Sequence, residues 1–124
     1  MKIILVGASG DVGQAAHAEL SKRHQVIRVG RSTGDVTVDI AERPSIEAMY
    51  NKVGAFDALV SAAGDVHFAP LVEHTESTFR LGLDQKTMGQ INQVLGGLPR
   101  ISDNGSFALT SGVLARAPIV SGTA

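Results

Sequence analysis

Cysteine is absent from the 124-residue sequence. Its absence excludes disulfide bonds, thiolate metal sites and cysteine nucleophiles, and it is typical of a reducing compartment, so we expect a cytoplasmic protein. Basic runs are absent too and the net charge is −1, which leaves no electrostatic footprint for nucleic acid. The aliphatic run Ile3–Val6 is too short for a signal peptide or a membrane span. We therefore expect a soluble globular protein with no membrane or nucleic-acid partner.

Histidine is scarce, with four residues. His17 and His24 flank the first predicted helix, whereas His67 and His74 follow the fourth predicted strand. No two of them have the spacing of a metal-ligand pair, so we expect no metal site. His67 could face a bound ligand, because its loop leaves the carboxyl end of a strand; the simpler interpretation is a solvated side chain.

Glycine is abundant instead, with 14 residues, and three of them follow the predicted strand Lys2–Val6 at the spacing G-x-x-G-x-x-G. Gly7 allows a tight turn, Gly10 lets backbone N–H groups approach a phosphate, and Gly13 permits close packing of helix on strand. The helix that follows has apolar residues at helical spacing: Val12, Ala15, Ala16 and Leu20. This order indicates a dinucleotide pyrophosphate site, although three glycines also suit a simple turn. We predict six contact residues: Gly7, Ser9, Gly10, Asp11, Val12 and Gly13.

Strands and helices alternate along the rest of the chain. The later predicted strands are Gln25–Val29, Val36–Val38, Phe56–Val60 and Phe107–Thr110. Pro44 suits the first turn of a helix that ends at Gly54 and buries one face: Ile46, Met49, Tyr50 and Val53. A long helix is predicted over Ser77–Leu98, and Asn104-Gly105 predicts a turn. The alternation predicts an α/β fold, a doubly wound parallel sheet of Rossmann type with strand order 3-2-1-4-5.

The long helix and the last strand form one edge of this predicted sheet. The helix has an apolar stripe that we expect to face the core: Met88, Ile91, Val94, Leu95 and Leu98. Because the pattern stops at Ala124, we expect the sheet to be incomplete after the fifth strand, with Phe107 and Leu109 partly uncovered. Residues 1–124 are expected to form a single domain, the amino-terminal part of a longer one.

The end of the second strand, Gly30-Arg31-Ser32, distinguishes between two cofactors. An acidic side chain there would bind the ribose 2′-hydroxyl of NAD, whereas arginine accommodates the 2′-phosphate of NADP. Guanidinium suits phosphate because its planar fork donates two parallel charge-assisted hydrogen bonds. We therefore predict that Arg31 and Ser32 select NADP. The alternative is that Arg31 is a solvated loop charge.

Four motifs in this order resemble those of the short-chain dehydrogenase/reductase family, and the match spans essentially the whole chain. The glycine loop has the spacing of the extended and atypical members, and Gly30-Arg31-Ser32 resembles the NADP-preferring end of the second strand. Asp39 matches the acidic residue that contacts the adenine amine. Ser61-Ala62-Ala63-Gly64 is similar to the family's Asn-Asn-Ala-Gly motif. The resemblance implies that four further residues lie at the cofactor: Asp39, Ala62, Ala63 and Gly64.

The resemblance also implies where catalysis would take place. The fifth strand resembles the one whose end carries the active-site serine, and Ser111 is the best candidate, although a shift of one residue would put Gly112 there. The long helix of such enzymes carries an asparagine that holds a water for a proton relay, and Asp84 is the best match here. The resemblance thus makes Ser111 and Asp84 the candidate catalytic residues.

Two departures from the family pattern affect the expected chemistry. Ser61 and Ala62 replace the two asparagines, so the hydrogen bonds of those amides are lost. The family's Tyr-x-x-x-Lys motif, which supplies the proton in carbonyl reduction, would fall after Ala124. The only tyrosine, Tyr50, lies on the core stripe of a helix and cannot be that acid.

The implied function is NADP(H)-dependent oxidoreduction of a carbonyl or alcohol, with this chain as the cofactor-binding portion. One alternative is a non-catalytic NADP-binding sensor or scaffold, and another is a truncated pseudo-enzyme. The partner is a small-molecule substrate whose identity the sequence leaves open, and we expect a homo-oligomer in the full-length form. We expect the 124 residues alone to bind NADPH without appreciable carbonyl reduction.

Overall fold

The computed structural model describes residues 1–63 and 70–111. Five parallel strands form one sheet in the order β3-β2-β1-β4-β5, which confirms the predicted order and the α/β class. The strands are β1 (Lys2–Val6), β2 (Gln25–Gly30), β3 (Val36–Thr37), β4 (Phe56–Ser61) and β5 (Ile101–Leu109). The helices are α1 (Asp11–Leu20), α2 (Arg43–Val53), α3 (Glu76–Gly82) and α4 (Gly89–Gly97). A 3₁₀ turn covers Leu71–Glu73, and a π-helical turn, Leu83–Met88, joins α3 to α4.

The core lies on both faces of the central strand β1. Its residues from Ile3 to Val6 are buried between β2 and β4, as expected for a parallel strand covered on two sides. Helix α2 covers one face, and its four predicted core residues are all buried: Ile46, Met49, Tyr50 and Val53. Pro44 lies in its first turn, and Gly54 ends it with a φ of +76°, as predicted.

Helix α1 packs differently from the predicted amphipathic pattern. The helix itself is confirmed over Asp11–Leu20, but Gly13 is its only buried residue. Val12, at the start of the expected stripe, is 64% exposed. The glycine faces the sheet because α1 lies so close to the loop after β1 that a side chain would not fit there.

The long predicted helix is confirmed in extent, since the helical segments run without a break from Glu76 to Gly97, but its predicted core stripe is wrong. Four of its five residues are 41 to 56% exposed: Met88, Ile91, Leu95 and Leu98. The buried face consists of Gly89, Gln93, Gly96 and Gly97.

Glycines occupy that face because α4 approaches the aromatic core closely. A Cβ on Gly97 would lie 2.6 Å from the hydroxyl of Tyr50 and 2.9 Å from the ring of Phe107. The Tyr50 hydroxyl donates a hydrogen bond to the carbonyl of Gln93, and burial raises the pKa of Tyr50. Large apolar side chains have no room here and therefore lie on the opposite side of the helix.

Strand β5 begins earlier than predicted. It pairs with β4 from Ile101 onward, and Asn104-Gly105 forms a bulge inside the strand rather than a turn before it. Asn104 has a φ of +63°, the conformation that favours asparagine or glycine. The expected partial exposure of Phe107 and Leu109 is confirmed. None of the helices in residues 1–63 and 70–111 has the length and apolar character to cross a bilayer.

The two glycines at the start of α1 give a test of this packing. A Cβ on Gly13 would lie 1.9 Å from the carbonyl oxygen of Gly7, whereas a Cβ on Gly10 meets nothing closer than 3.7 Å. We expect Gly13→Ala to lower the free energy of unfolding by about 1–3 kcal/mol or more, because a backbone carbonyl must move. The matched variant Gly10→Ala should stay within about 0.5 kcal/mol of wild type. Urea unfolding measures both, and equal stabilities would contradict the packing described.

Candidate cofactor site

A pocket of about 270 Å³ opens at the carboxyl ends of β1, β2 and β4, the edge where ligands bind in sheets of this topology. Four residues predicted from the sequence line it: Gly7, Ser9, Arg31 and Ala63. The others are Val6, Gly30, Val38, Ile40 and Gln85. None of the lining residues within the described part of the chain is acidic.

The glycine loop packs tightly against the carboxyl ends of two strands, β2 and β4. Gly7 has a φ of +83°, its N–H donates to the carbonyl of Val29 at 2.8 Å, and a Cβ on it would lie 2.7 Å from the backbone of Ala62. Gly7 is therefore required by both conformation and space. Ala62 serves this site through its backbone, since its N–H donates to the carbonyl of Val6 at 2.8 Å.

Packing within the chain does not explain the glycine at position 10, because a Cβ on Gly10 would lie no closer than 3.7 Å to another atom. It precedes α1 with an extended backbone, and no side chain caps the helix. Within the described part of the chain the N–H groups of Asp11 and Val12 consequently have no hydrogen-bond partner. The space in front of Gly10 and these amides together fit an external anion such as a pyrophosphate.

Arg31 lies at the opposite side of the same pocket. Its side chain is exposed, and its Nη2 donates to Oε1 of Gln85 at 3.0 Å. Gln85 is neutral, so the guanidinium retains its full charge toward the pocket. Arg28, three residues earlier, is instead paired with Asp35 at 3.3 Å. The hydrogen bond from the Arg28 backbone is the main cause that lowers the pKa of Asp35.

The remaining predicted cofactor residues lie in different places. Ser32 is exposed and does not line the pocket, and Asp39 accepts a hydrogen bond from the N–H of Ala41 at 3.1 Å. The neighbours of Asp39, Val38 and Ile40, reach the pocket with apolar side chains. Gly64, His67 and Gly112 lie outside the described residues. Ser61 is fully buried, and its hydroxyl has no partner among the described residues.

Ser111 lies in a second pocket at the carboxyl end of β5. This pocket, of about 340 Å³, is lined by Lys86, Thr87, Gln90, Ile91, Leu109, Thr110 and Ser111. The Gln90 side chain is held in this pocket by a hydrogen bond from its Nε2 to the carbonyl of Thr110 at 2.8 Å.

The structure does not bring Asp84 to Ser111. Asp84 is exposed and lines a separate groove with residues of α3, among them Glu76 and Arg80. The two residues that follow Asp84 in the π-helical turn Leu83–Met88 do reach the sheet edge, where Gln85 lines the first pocket and Lys86 the second.

Sequence reasoning missed Gln85 and Lys86, the two side chains that the π-helical turn directs toward the pockets. A signal was present in the glycines of this helix. Gly82, Gly89 and Gly96 recur every seven residues, or two helical turns, and all three are buried. Gln85 and Lys86 lie three and four residues after Gly82, which puts them on the same face.

No protein-family model matches the sequence, and no curated protein matches it. The protein lin1944 from Listeria innocua is 48% identical, with a TM-score of 0.98 over 99% of this chain and 62% of that one. A small-chain dehydrogenase is 25% identical, with a TM-score of 0.89 over 99% of this chain and 66% of that one.

A further structure is that of a small-chain dehydrogenase in complex with NADPH. It is 25% identical to this chain, with a TM-score of 0.88, and the match covers 98% of this chain and 55% of that protein. This chain therefore spans less than two thirds of the length of these three structures. The five-stranded parallel sheet and its helices have the Rossmann-type fold of the short-chain dehydrogenases.

Proposed function

We propose that this protein is an NADP(H)-dependent oxidoreductase of the short-chain dehydrogenase/reductase type, acting on a carbonyl or alcohol substrate. The observation that carries the proposal is Arg31, an exposed guanidinium on a pocket that Gly7 and Ser9 of the glycine loop also line and to which the described residues contribute no carboxylate. The small-chain dehydrogenase in complex with NADPH supports the choice of cofactor.

Residues in and beside the first pocket would bind different parts of the cofactor. The pyrophosphate would be bound by the N–H groups of Asp11 and Val12 at the amino terminus of α1, in the space left by Gly10. Arg31 would bind the 2′-phosphate through charge-assisted hydrogen bonds. The apolar side chains of Val38 and Ile40 would contact the adenine.

When bound, NADPH supplies a hydride to a carbonyl carbon. Ser111, at the carboxyl end of β5, would donate a hydrogen bond to the carbonyl oxygen and orient it. The chain's single tyrosine, Tyr50, is buried in the core and bonded to Gln93, so it takes no part.

A non-catalytic NADP-binding sensor or scaffold is the second candidate, favoured by the separation of Asp84 and Ser111 into different pockets. The two candidates share the cofactor pocket and differ in the second pocket. NADPH binding without oxidation in the presence of carbonyl compounds favours the sensor, and saturable oxidation favours the enzyme.

The first prediction concerns Arg31. Since a hydrogen bond to a charged group contributes about 1.5–3 kcal/mol, we expect Arg31→Ala to weaken NADPH binding by roughly 10- to 150-fold. NADH affinity should be nearly unchanged, because NADH has no 2′-phosphate. Calorimetric titration measures both constants. Arg23→Ala is the matched control, as Arg23 is exposed beyond the far end of α1. Equal affinities of the wild-type protein for NADPH and NADH would refute the assignment.

The second prediction concerns Gly10. A valine side chain at this position would fill the space in front of the α1 amino terminus, so Gly10→Val should abolish measurable NADPH binding. The fold should persist, because a Cβ there meets no protein atom closer than 3.7 Å. Titration with NADPH, paired with urea unfolding of the same variant, tests this. A folded Gly10→Val protein with wild-type affinity would show that the loop does not bind phosphate.

A further inference from the structure

Two arginines lie near the carboxyl end of β2, and their partners differ in charge. Arg28 donates from Nε and Nη2 to the carboxylate of Asp35, at 3.4 and 3.3 Å. Arg31 donates from Nη2 to the amide oxygen of Gln85 at 3.0 Å. A carboxylate offsets the charge of the guanidinium that it holds, whereas an amide leaves that charge available to a second ligand. Arg31 is therefore the arginine of this pair whose charge remains available to a phosphate.

Gln85 reaches Arg31 from a part of the chain that is 54 residues further along. It belongs to the π-helical turn Leu83–Met88 and is half-buried. The turn ends at Gly89, which packs so closely on the pocket wall that a Cβ there would lie 3.1 Å from Cδ1 of Ile40. Ile40 is itself buried and lines the same pocket as Gln85 and Arg31. The amide oxygen of Gln85 is therefore presented by a packed part of the structure.

A guanidinium that is already held in place binds a phosphate better than a freely rotating one. An arginine side chain has many rotamers, and a ligand that immobilises it does so at a cost in entropy. The Arg31 side chain is exposed, and within the described residues its hydrogen bond to Gln85 is the one that it makes. Loss of the amide oxygen would let the guanidinium leave the pocket, a change that matters for a ligand with a phosphate at this place.

We propose that Gln85 is a positioning residue that determines the preference of this protein for NADPH over NADH, because it holds the Arg31 guanidinium at the pocket without neutralising it. The proposal rests on the function proposed above, since it requires the 2′-phosphate to bind at Arg31. It adds a specificity residue from the π-helical turn to the one from the end of β2. Gln85 acts through Arg31 and needs no contact with the phosphate itself.

Calorimetric titration of the full chain with NADPH and with NADH tests the proposal and requires no turnover. Gln85→Leu removes the acceptor at similar side-chain volume. NADPH binding should weaken by about 2- to 12-fold, the cost of immobilising one long side chain, and NADH binding should not change. Gln25→Leu is the matched control, since Gln25 is exposed at the amino end of β2, the opposite end of the strand from Arg31. This variant should leave both affinities unchanged.

Gln85→Glu tests the charge of the acceptor. A carboxylate would keep the guanidinium in place but would pair with it, as Asp35 pairs with Arg28. NADPH binding should then weaken further than in Gln85→Leu, toward the roughly 10- to 150-fold loss expected for Arg31→Ala. NADH binding should weaken far less, because NADH has no 2′-phosphate.

Two further measurements separate positioning from a merely structural role. The double variant Arg31→Ala/Gln85→Leu should bind NADPH as well as Arg31→Ala alone, within about twofold, because Gln85 has nothing left to position. NMR gives a readout on the free protein. In ¹⁵N-arginine-labelled protein, the Nε–Hε signal that Arg31→Ala removes should shift in Gln85→Leu and stay in place in Gln25→Leu.

Four results would overturn the proposal. These are an equal loss of NADPH and NADH affinity in Gln85→Leu, losses that multiply in the double variant, and an Arg31 signal that Gln85→Leu does not move. The fourth is a wild-type preference for NADPH that Gln85→Leu leaves unchanged. A wild-type protein that binds the two cofactors equally, or binds neither, would refute the proposed function and this inference with it, so the two failures are distinguishable.

Discussion

The close packing of α1 against the loop after β1 is the constraint on which the candidate cofactor site depends. Gly13 lies directly under the carbonyl of Gly7, and Gly7 in turn lies against the backbone of Ala62. A side chain at Gly7 or Gly13 would push the helix away from the sheet edge. Because both are glycine, the uncapped amino terminus of α1, with its positive dipole end, is held beside the carboxyl ends of β1 and β4.

A second close approach positions the other side of the site. The glycine face of α4 packs on Tyr50 and Phe107, and the π-helical turn before it changes the direction of the side chains that precede. Gln85 consequently reaches Arg31, and Lys86 reaches Thr110. The apolar residues of the same helix are left on the exposed side.

The expected homo-oligomer stays a prediction.

Much of this fold could be predicted from the sequence, because the first four strands and α2 have local patterns that tertiary packing reinforces. The glycine spacing likewise placed Gly7, Ser9 and Arg31 on one pocket. The helix from Glu76 to Gly97 could not be oriented in the same way. Hydrophobic periodicity assigns the buried face to the largest apolar side chains, whereas here the limiting quantity is the distance to Tyr50, which favours glycine. Asp84, expected from the resemblance, lies in a separate groove, and Lys86 is the side chain of the π-helical turn that contacts Thr110.

The central claim is that the glycine loop and the strand ends form an NADP(H) site. Amide NMR titration of the ¹⁵N-labelled protein with NADPH tests it most directly. The account predicts the largest shifts from Gly7 to Gly13 and at Arg31 and Gln85, with smaller shifts at Arg31 when NADH replaces NADPH. Shifts confined to other surfaces, such as the exposed apolar side of α4, with the glycine loop unchanged, would contradict it.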